Sequence, residues 1–214
     1  AIGVNSLTSS TTGCYNIGIG SNALGTADTT GLDNIAIGHN TADAITSGSG
    51  NIVMGIHALG LATIATYNIA IGNGAMCNVT TGQADTNIAI GHNTMKSPGS
   101  GFTGNNNIAM GYCALSNGIT TGACNIAIGS QVMQALTTGC FNVMVGVNAG
   151  DTGATSGEAN AGVGQSALYS MSSGNNNTGM GSHAGGRITT GTNNTFLGQR
   201  AGCNSEYNQI TGDH

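Results

Sequence analysis

The chain has 214 residues, of which 38 are Gly, one is Pro, three are Lys or Arg and eight are Asp or Glu, for a formal net charge of −5. Charged residues make up 5% of it, against about 25% in ordinary soluble domains, and the three cations (Lys96, Arg187 and Arg200) are too dispersed in sequence to build a basic patch, which excludes nucleic-acid binding through phosphates and electrostatic attachment to a membrane surface. A hydrophobic content of 39% beside so small a net charge argues against disorder, and no apolar run approaches the roughly 20 residues of a spanning helix.

Ala1-Ile2-Gly3 opens the chain as the tail of a motif that then recurs to the far end, so the expectation is a segment of a longer protein or a mature product. The first complete copies are headed by Asn16, Asn34 and Asn51, and those in the middle by Asn68, Asn87, Asn107 and Asn125. The last are headed by Asn142, Asn160, Asn177 and Asn194. Successive Asn residues are 17 to 20 positions apart, with the longest intervals around Asn87. With the truncated first copy this makes twelve, in one continuous array spanning 1–214 with no inserted domain.

Within each copy the columns follow one pattern. The residue after the Asn is Ile in the first seven complete copies and then Val143, Ala161, Thr178 and Thr195. Two positions further on stand Ile19, Ile37, Met54, Ile71, Ile90, Met110, Ile128, Val145, Val163, Met180 and Leu197. These two positions share one face of an extended strand, and the residue between them is mostly Ala or Gly. An unbroken Gly column follows: Gly20, Gly38, Gly55, Gly72, Gly91, Gly111, Gly129, Gly146, Gly164, Gly181 and Gly198. A mostly Ala column comes three residues later, and a Thr- and Gly-rich turn leads to the next Asn.

A helical repeat needs a longer unit and better helix formers than these Gly- and β-branched-rich copies supply. The period fits one coil of an all-β fold, a parallel β-solenoid or β-roll of about twelve coils and ~55 Å. In it the eleven aliphatic residues from Ile19 to Leu197 are expected to form a core ladder and the Asn column an amide hydrogen-bond ladder. The Gly column is expected to turn the chain. The small residue between the two aliphatics then faces outward, where it lets a neighbouring chain close in.

The stretch "NIAIG" followed by a small residue and Ala resembles the head repeats of trimeric autotransporter adhesins. "NNTFLGQRAG" (Asn193–Gly202), "VNAG" (Val147–Gly150) and "SHAGG" (Ser182–Gly186) resemble the Gly- and Asn-rich repeats of bacteriophage tail-fibre-like proteins. The resemblance implies a left-handed parallel β-roll in a homotrimer, acting as a rigid shaft or an adhesive head outside the cell or on a virion. The coils here are longer than those of the adhesin heads, and no coiled-coil stalk accompanies them.

Residues that carry chemistry are scattered. The six Cys form no CxxC pair, and Cys124 and Cys140, on adjacent coils, are the disulfide candidate. No two of His39, His57, His92 and His183 share a column on adjacent coils, and His214 lies beyond the last copy. The acids make neither a repeated calcium motif nor a carboxylate pair, and six-residue acyltransferase periodicity fails between Ile19, Gly25 and Gly31. No enzyme, cofactor or metal site is therefore expected. The expected function is a structural or shaft segment of an extracellular, cell-surface or virion-surface fibre, adhesive or not. A filament polymerising end to end is one alternative, and a module binding a cell-surface glycan, receptor or ice through Thr12, Thr30, Ser47, Thr81, Thr121, Thr138, Ser173 and Thr190 is another.

Overall fold

A computed structural model describes residues 1–79, 84–97, 102–118, 121–151 and 156–203. The turn residues Thr80, Thr81 and Thr120, together with Glu206, Asp213 and His214, lie outside the described residues. The chain is a parallel β-solenoid. Eleven strands of three residues follow one another: β1 (Ile17–Ile19), β2 (Ile35–Ile37), β3 (Ile52–Met54), β4 (Ile69–Ile71), β5 (Ile88–Ile90) and β6 (Ile108–Met110). β7 (Ile126–Ile128), β8 (Val143–Val145), β9 (Ala161–Val163), β10 (Thr178–Met180) and β11 (Thr195–Leu197) complete the set. They form one sheet in sequence order with the motif in phase throughout, so that Ile69 pairs with Ile88 and Ile88 with Ile108. The truncated first copy joins it through a single parallel bridge, Ile2 to Ile19. Ten inter-strand steps make a sheet ~48 Å long.

Backbone hydrogen bonds run from coil to coil. In the first full coil the N–H of Ile17 donates to Asn34 O (2.8 Å), that of Asn22 to Val4 O (2.9 Å) and that of Leu24 to Thr41 O (3.1 Å). Each coil is thus satisfied by its neighbours, as buried main chain must be.

Three corners in every coil take the left-handed conformation. They are the residue before the Asn, and the sixth and eighth residues after it: Tyr15, Asn22 and Leu24 in one coil (φ 61°, 56° and 49°), Cys124, Gln131 and Met133 in another (60°, 56° and 47°). This conformation is costly for β-branched side chains. The eighth column accordingly contains Leu, Met, Ala and Gly and never Val, Ile or Thr. Thr86, in the first of these columns, is an exception (φ 58°); its hydroxyl bonds Asn106 Oδ1 in the next coil. At the motif Gly, φ lies between 110° and 140°, and a Cβ on Gly111 would stand 2.2 Å from Gly129 O. Only Gly can occupy that corner.

The face of the strand that points inward is the reverse of the sequence expectation. Ile19, Ile37, Met54, Ile71, Ile90, Met110, Ile128, Val145, Val163, Met180 and Leu197 are half-buried to exposed and form no core ladder. The middle residue is the buried one, as at Ala36, Val53, Ala70, Ala89, Ala109, Ala127 and Met144. The reason is space. A coil this short encloses a thin interior, and the left-handed corner at the eighth column sends one Leu or Met into it from the other side, as at Leu59, Met76, Met95 and Leu115. Opposite such a side chain the strand carries Ala, or at most Val, as at Val53 opposite Leu59. Where the strand carries a large residue instead, the corner loses its side chain. Met144 faces Gly150 and Phe196 faces Gly202, whose added Cβ atoms would stand 3.2 Å from Met144 Cγ and 2.3 Å from the Phe196 ring.

Beside this apolar interior runs the Asn column. Asn34 N–H and Nδ2 both donate to Asn16 Oδ1 (2.9 and 3.1 Å), and Nδ2 also donates to Gly48 O (2.9 Å). The main-chain bond to the preceding amide repeats at every step to Asn194, which bonds Asn177 Oδ1 at 3.1 Å. It persists at Asn87 and Asn107, where the coils lengthen (2.9 Å each). Ten of these amides are buried, and their bonds keep that burial from costing about 1–3 kcal/mol for each polar group.

Candidate functional site

Two surfaces flank the turn that follows each strand. The first is the outer face of the sheet. Two columns of Ile, Val, Met and Leu run along all eleven strands, interrupted only by Ala161, Thr178 and Thr195, and no charge enters either column. Ile17 and Met180 are nearly half exposed and Leu197 is 77% exposed. Past the turn Gly, Ile56, Tyr112 and Val147 extend the apolar strip, and at the corner before the Asn, Tyr15, Tyr67 and Phe141 stand in solvent. The His92 imidazole and the Tyr112 ring stack across adjacent coils with centroids 5.5 Å apart.

The second surface is a polar groove. Its walls are the sixth column after the Asn and the ninth and tenth columns, and the cavities along it fall on these same columns in different coils. Asn22 Nδ2 donates to Asn40 Oδ1 in one wall (2.9 Å). Asp43 faces His57 and His39 near the amino-terminal end; burial pushes its carboxyl above the ordinary value, and a main-chain hydrogen bond and then the two imidazoles pull it partly back. The two imidazole rings meet edge to face at 5.7 Å. Burial also raises the Cys77 thiol, against the pull of Lys96, so it is no activated nucleophile. Asp151, on the same wall further along, is raised by burial too, and its Oδ1 has no donor.

Lys96, Arg187 and Arg200 look dispersed in sequence but all three line this groove, and Arg187 and Arg200 share one cavity with His183. The three cations still build no common patch, since Lys96 lines a separate cavity nearer the amino terminus; only Arg187 and Arg200 come to one place. Arg187 and Arg200 share a cavity through column position, tenth after Asn177 and sixth after Asn194 in the next coil. Aligning the copies beyond the Ala column carries that signal.

The remaining candidates fall elsewhere. All six cysteines are free thiols, so Cys124 and Cys140 form no disulfide; Cys140 Sγ instead accepts the Ala123 N–H at 3.3 Å. Among the described residues no three of His, Cys, Asp and Glu come close enough to hold a metal ion. Thr12, Thr30, Ser47, Thr121, Thr138, Ser173 and Thr190 are exposed in the turns, and Thr81 lies outside the described residues. At Thr30 the hydroxyl donates to a carbonyl of the next coil, Thr46 O (3.3 Å), a turn-closing role. Among the described residues no helix is long and apolar enough to cross a membrane. No protein-family model, curated protein or solved structure matches the chain.

Proposed function

We propose that this chain is a shaft segment of an extracellular or virion-surface fibre, in which copies of the chain pack side by side through the outer face of the sheet. The observation that supports this most is the uncharged aliphatic double column running the length of the solenoid. Three strand residues span ~10 Å across the sheet, so the strip measures ~48 by ~10 Å, and the flanking Tyr, Ile and Val residues widen it toward the ~800 Å² per partner of a stable interface.

A second copy is the occupant that matches it best. Its own columns repeat at the same ~4.8 Å spacing, and with no charge in the two strand columns no ion on them is desolvated on contact. The neighbour contact expected on the small Ala and Gly face moves to the Ile face, since the small face is inside the coil. Three-fold packing is the arrangement implied by the likeness to trimeric adhesin heads, and a rigid rod with no catalytic constellation suits a shaft.

Sedimentation of the purified protein tests the proposal. A discrete oligomer is expected, trimeric in the adhesin-like case, and Ile71→Lys with Ile90→Lys should return it to monomers of unchanged circular dichroism, because both side chains point outward. A wild-type monomer that stays folded at about 100 µM would sink the reading. Unlimited growth that survives the two lysines would favour end-to-end stacking instead.

A further inference from the structure

The two edges of the outer sheet face carry opposite chemistry. On one edge, in the two positions before each Asn, stand Asp33, Asp85 and Glu158, and no His, Lys or Arg. On the other, in the fifth and sixth positions after the Asn, stand His39, His57, His92, His183 and Arg200, and no Asp or Glu. All but Asp85 and His183 are exposed, and the strand columns between the edges are uncharged. Charges scattered without constraint would fall on both edges alike.

This segregation distinguishes two ways of laying rods face to face. Copies running in the same sense about an axis along the rod bring the acidic edge of one against the imidazole edge of the next, coil by coil. Copies running in opposite senses bring each edge against its own kind. Same-sense packing gives matched contacts at three levels, each three coils or ~14 Å apart. Asp33 meets His39, Asp85 meets His92, and the exposed Phe141 meets the exposed Val147. Opposite senses match Tyr67 with Phe141, but they set His39 beside His183 and leave every edge acid without a cation; Asp85 comes opposite Ala123 and Cys124. The Asp85–His92 pair is also ordered before contact. Asp85 Oδ1 accepts the Thr66 N–H at 2.8 Å, and the His92 ring stacks on Tyr112, so little freedom is lost on meeting.

A shift of one coil would set Asp33 against His57 and Glu158 against His183. It would also uncover one of the eleven strands at each end of a pair and turn a closed assembly into an open helix. We infer that neighbouring copies lie in the same sense and in register, with the acidic edge of one seated along the imidazole edge of the next. This rests on the lateral packing proposed above and names the partner surface of each edge.

The test is a charge swap in the coil headed by Asn87, since Asp43 of the same chain also faces His39. Asp85→Lys and His92→Glu should each weaken association about tenfold by sedimentation, because every pair occurs at least twice in a symmetric assembly. The two together should restore it to within about threefold of wild type. Within one chain a strand of ~10 Å and two corners separate these residues, so the recovery has to come from contact between copies. Urea unfolding separates this from stability: the Thr66 bond lost in Asp85→Lys stays lost in the double variant while association returns. Asp33→Lys with His92→Glu, three coils out of step, should recover nothing. A wild-type monomer would remove the packing on which the inference rests. An oligomer whose Asp85→Lys with His92→Glu variant stays as weak as the single variants would overturn the same-sense register alone. Recovery in Glu158→Lys with His183→Glu instead would overturn it in favour of the one-coil shift.

Discussion

The middle and the flanks of the same three-residue strand obey opposite rules. At β5, Ala89 is fully buried while Ile88 and Ile90 are only half-buried, so the smallest residue is inside and the largest are outside. In most sheets with one covered face the larger residues take that face. Here the interior already holds a Leu or Met delivered by the eighth-column corner, and the flanking Ile residues are left to form a surface. The difference teaches that in a coil this thin the alternation of a strand serves two ends at once. One set of positions is sized to close the coil, and the other is chemically fit to meet another molecule.

The comparison breaks most visibly if the middle column is enlarged. Ala89→Leu should cost about 3 kcal/mol or more by overpacking against Met76 and Met95, measured by urea unfolding. Next in size is the amide ladder beside it: Asn107→Ala leaves the Asn125 main-chain N–H without its acceptor and should cost about 2 kcal/mol in the same measurement. Gly150→Leu should cost about 1–3 kcal/mol, and Met144→Ala in the same chain should recover at least half of that, which separates volume matching from the strain of the corner. At the flanks the effect on the fold should be smallest. Ile88→Thr is expected to change monomer stability by less than about 1 kcal/mol while weakening self-association measured by sedimentation.

A pH series sharpens the contrast between the apolar wall and the groove. Asp43 and Asp151 have raised carboxyl pKa values, so the folded state holds their protons more tightly than the unfolded chain does. Neither costs stability while both states are protonated. As pH rises past the ordinary carboxylate value the unfolded chain ionises first, and stability falls until the raised folded value is passed. The wild type should therefore lose stability as pH rises through and above the ordinary carboxylate value of about 4, relative to Asp43→Asn with Asp151→Asn, as read from paired urea midpoints. A flat difference would show that neither carboxyl is desolvated.

Much of this architecture is legible in the residues. The period, the coil, the in-phase stacking and the Gly corner follow from columns that repeat eleven times. What strict alternation leaves open is which alternate faces in, because Ile-Ala-Ile reads equally well from either side. Size then misleads, since burying Ile is the usual solution. Two signals point the other way. The eighth column lacks β-branched residues entirely, as a left-handed position with an inward side chain requires. Met144 with Gly150 and Phe196 with Gly202 trade volume, which only facing columns do. The groove is harder to see, because Arg187 and Arg200 lie on different columns and come to line one cavity only once the coils are stacked.

The amide ladder has a direction. At every step the later Asn donates and the earlier one accepts, from Asn34 onto Asn16 through to Asn194 onto Asn177. The strands likewise all point one way around the coil. The rod is therefore a vector: its two ends differ in hydrogen-bonding chemistry even though its coils are nearly alike. Any axial contact between copies fits in one sense only, and a lateral bundle of such rods is either all in the same sense or visibly mixed.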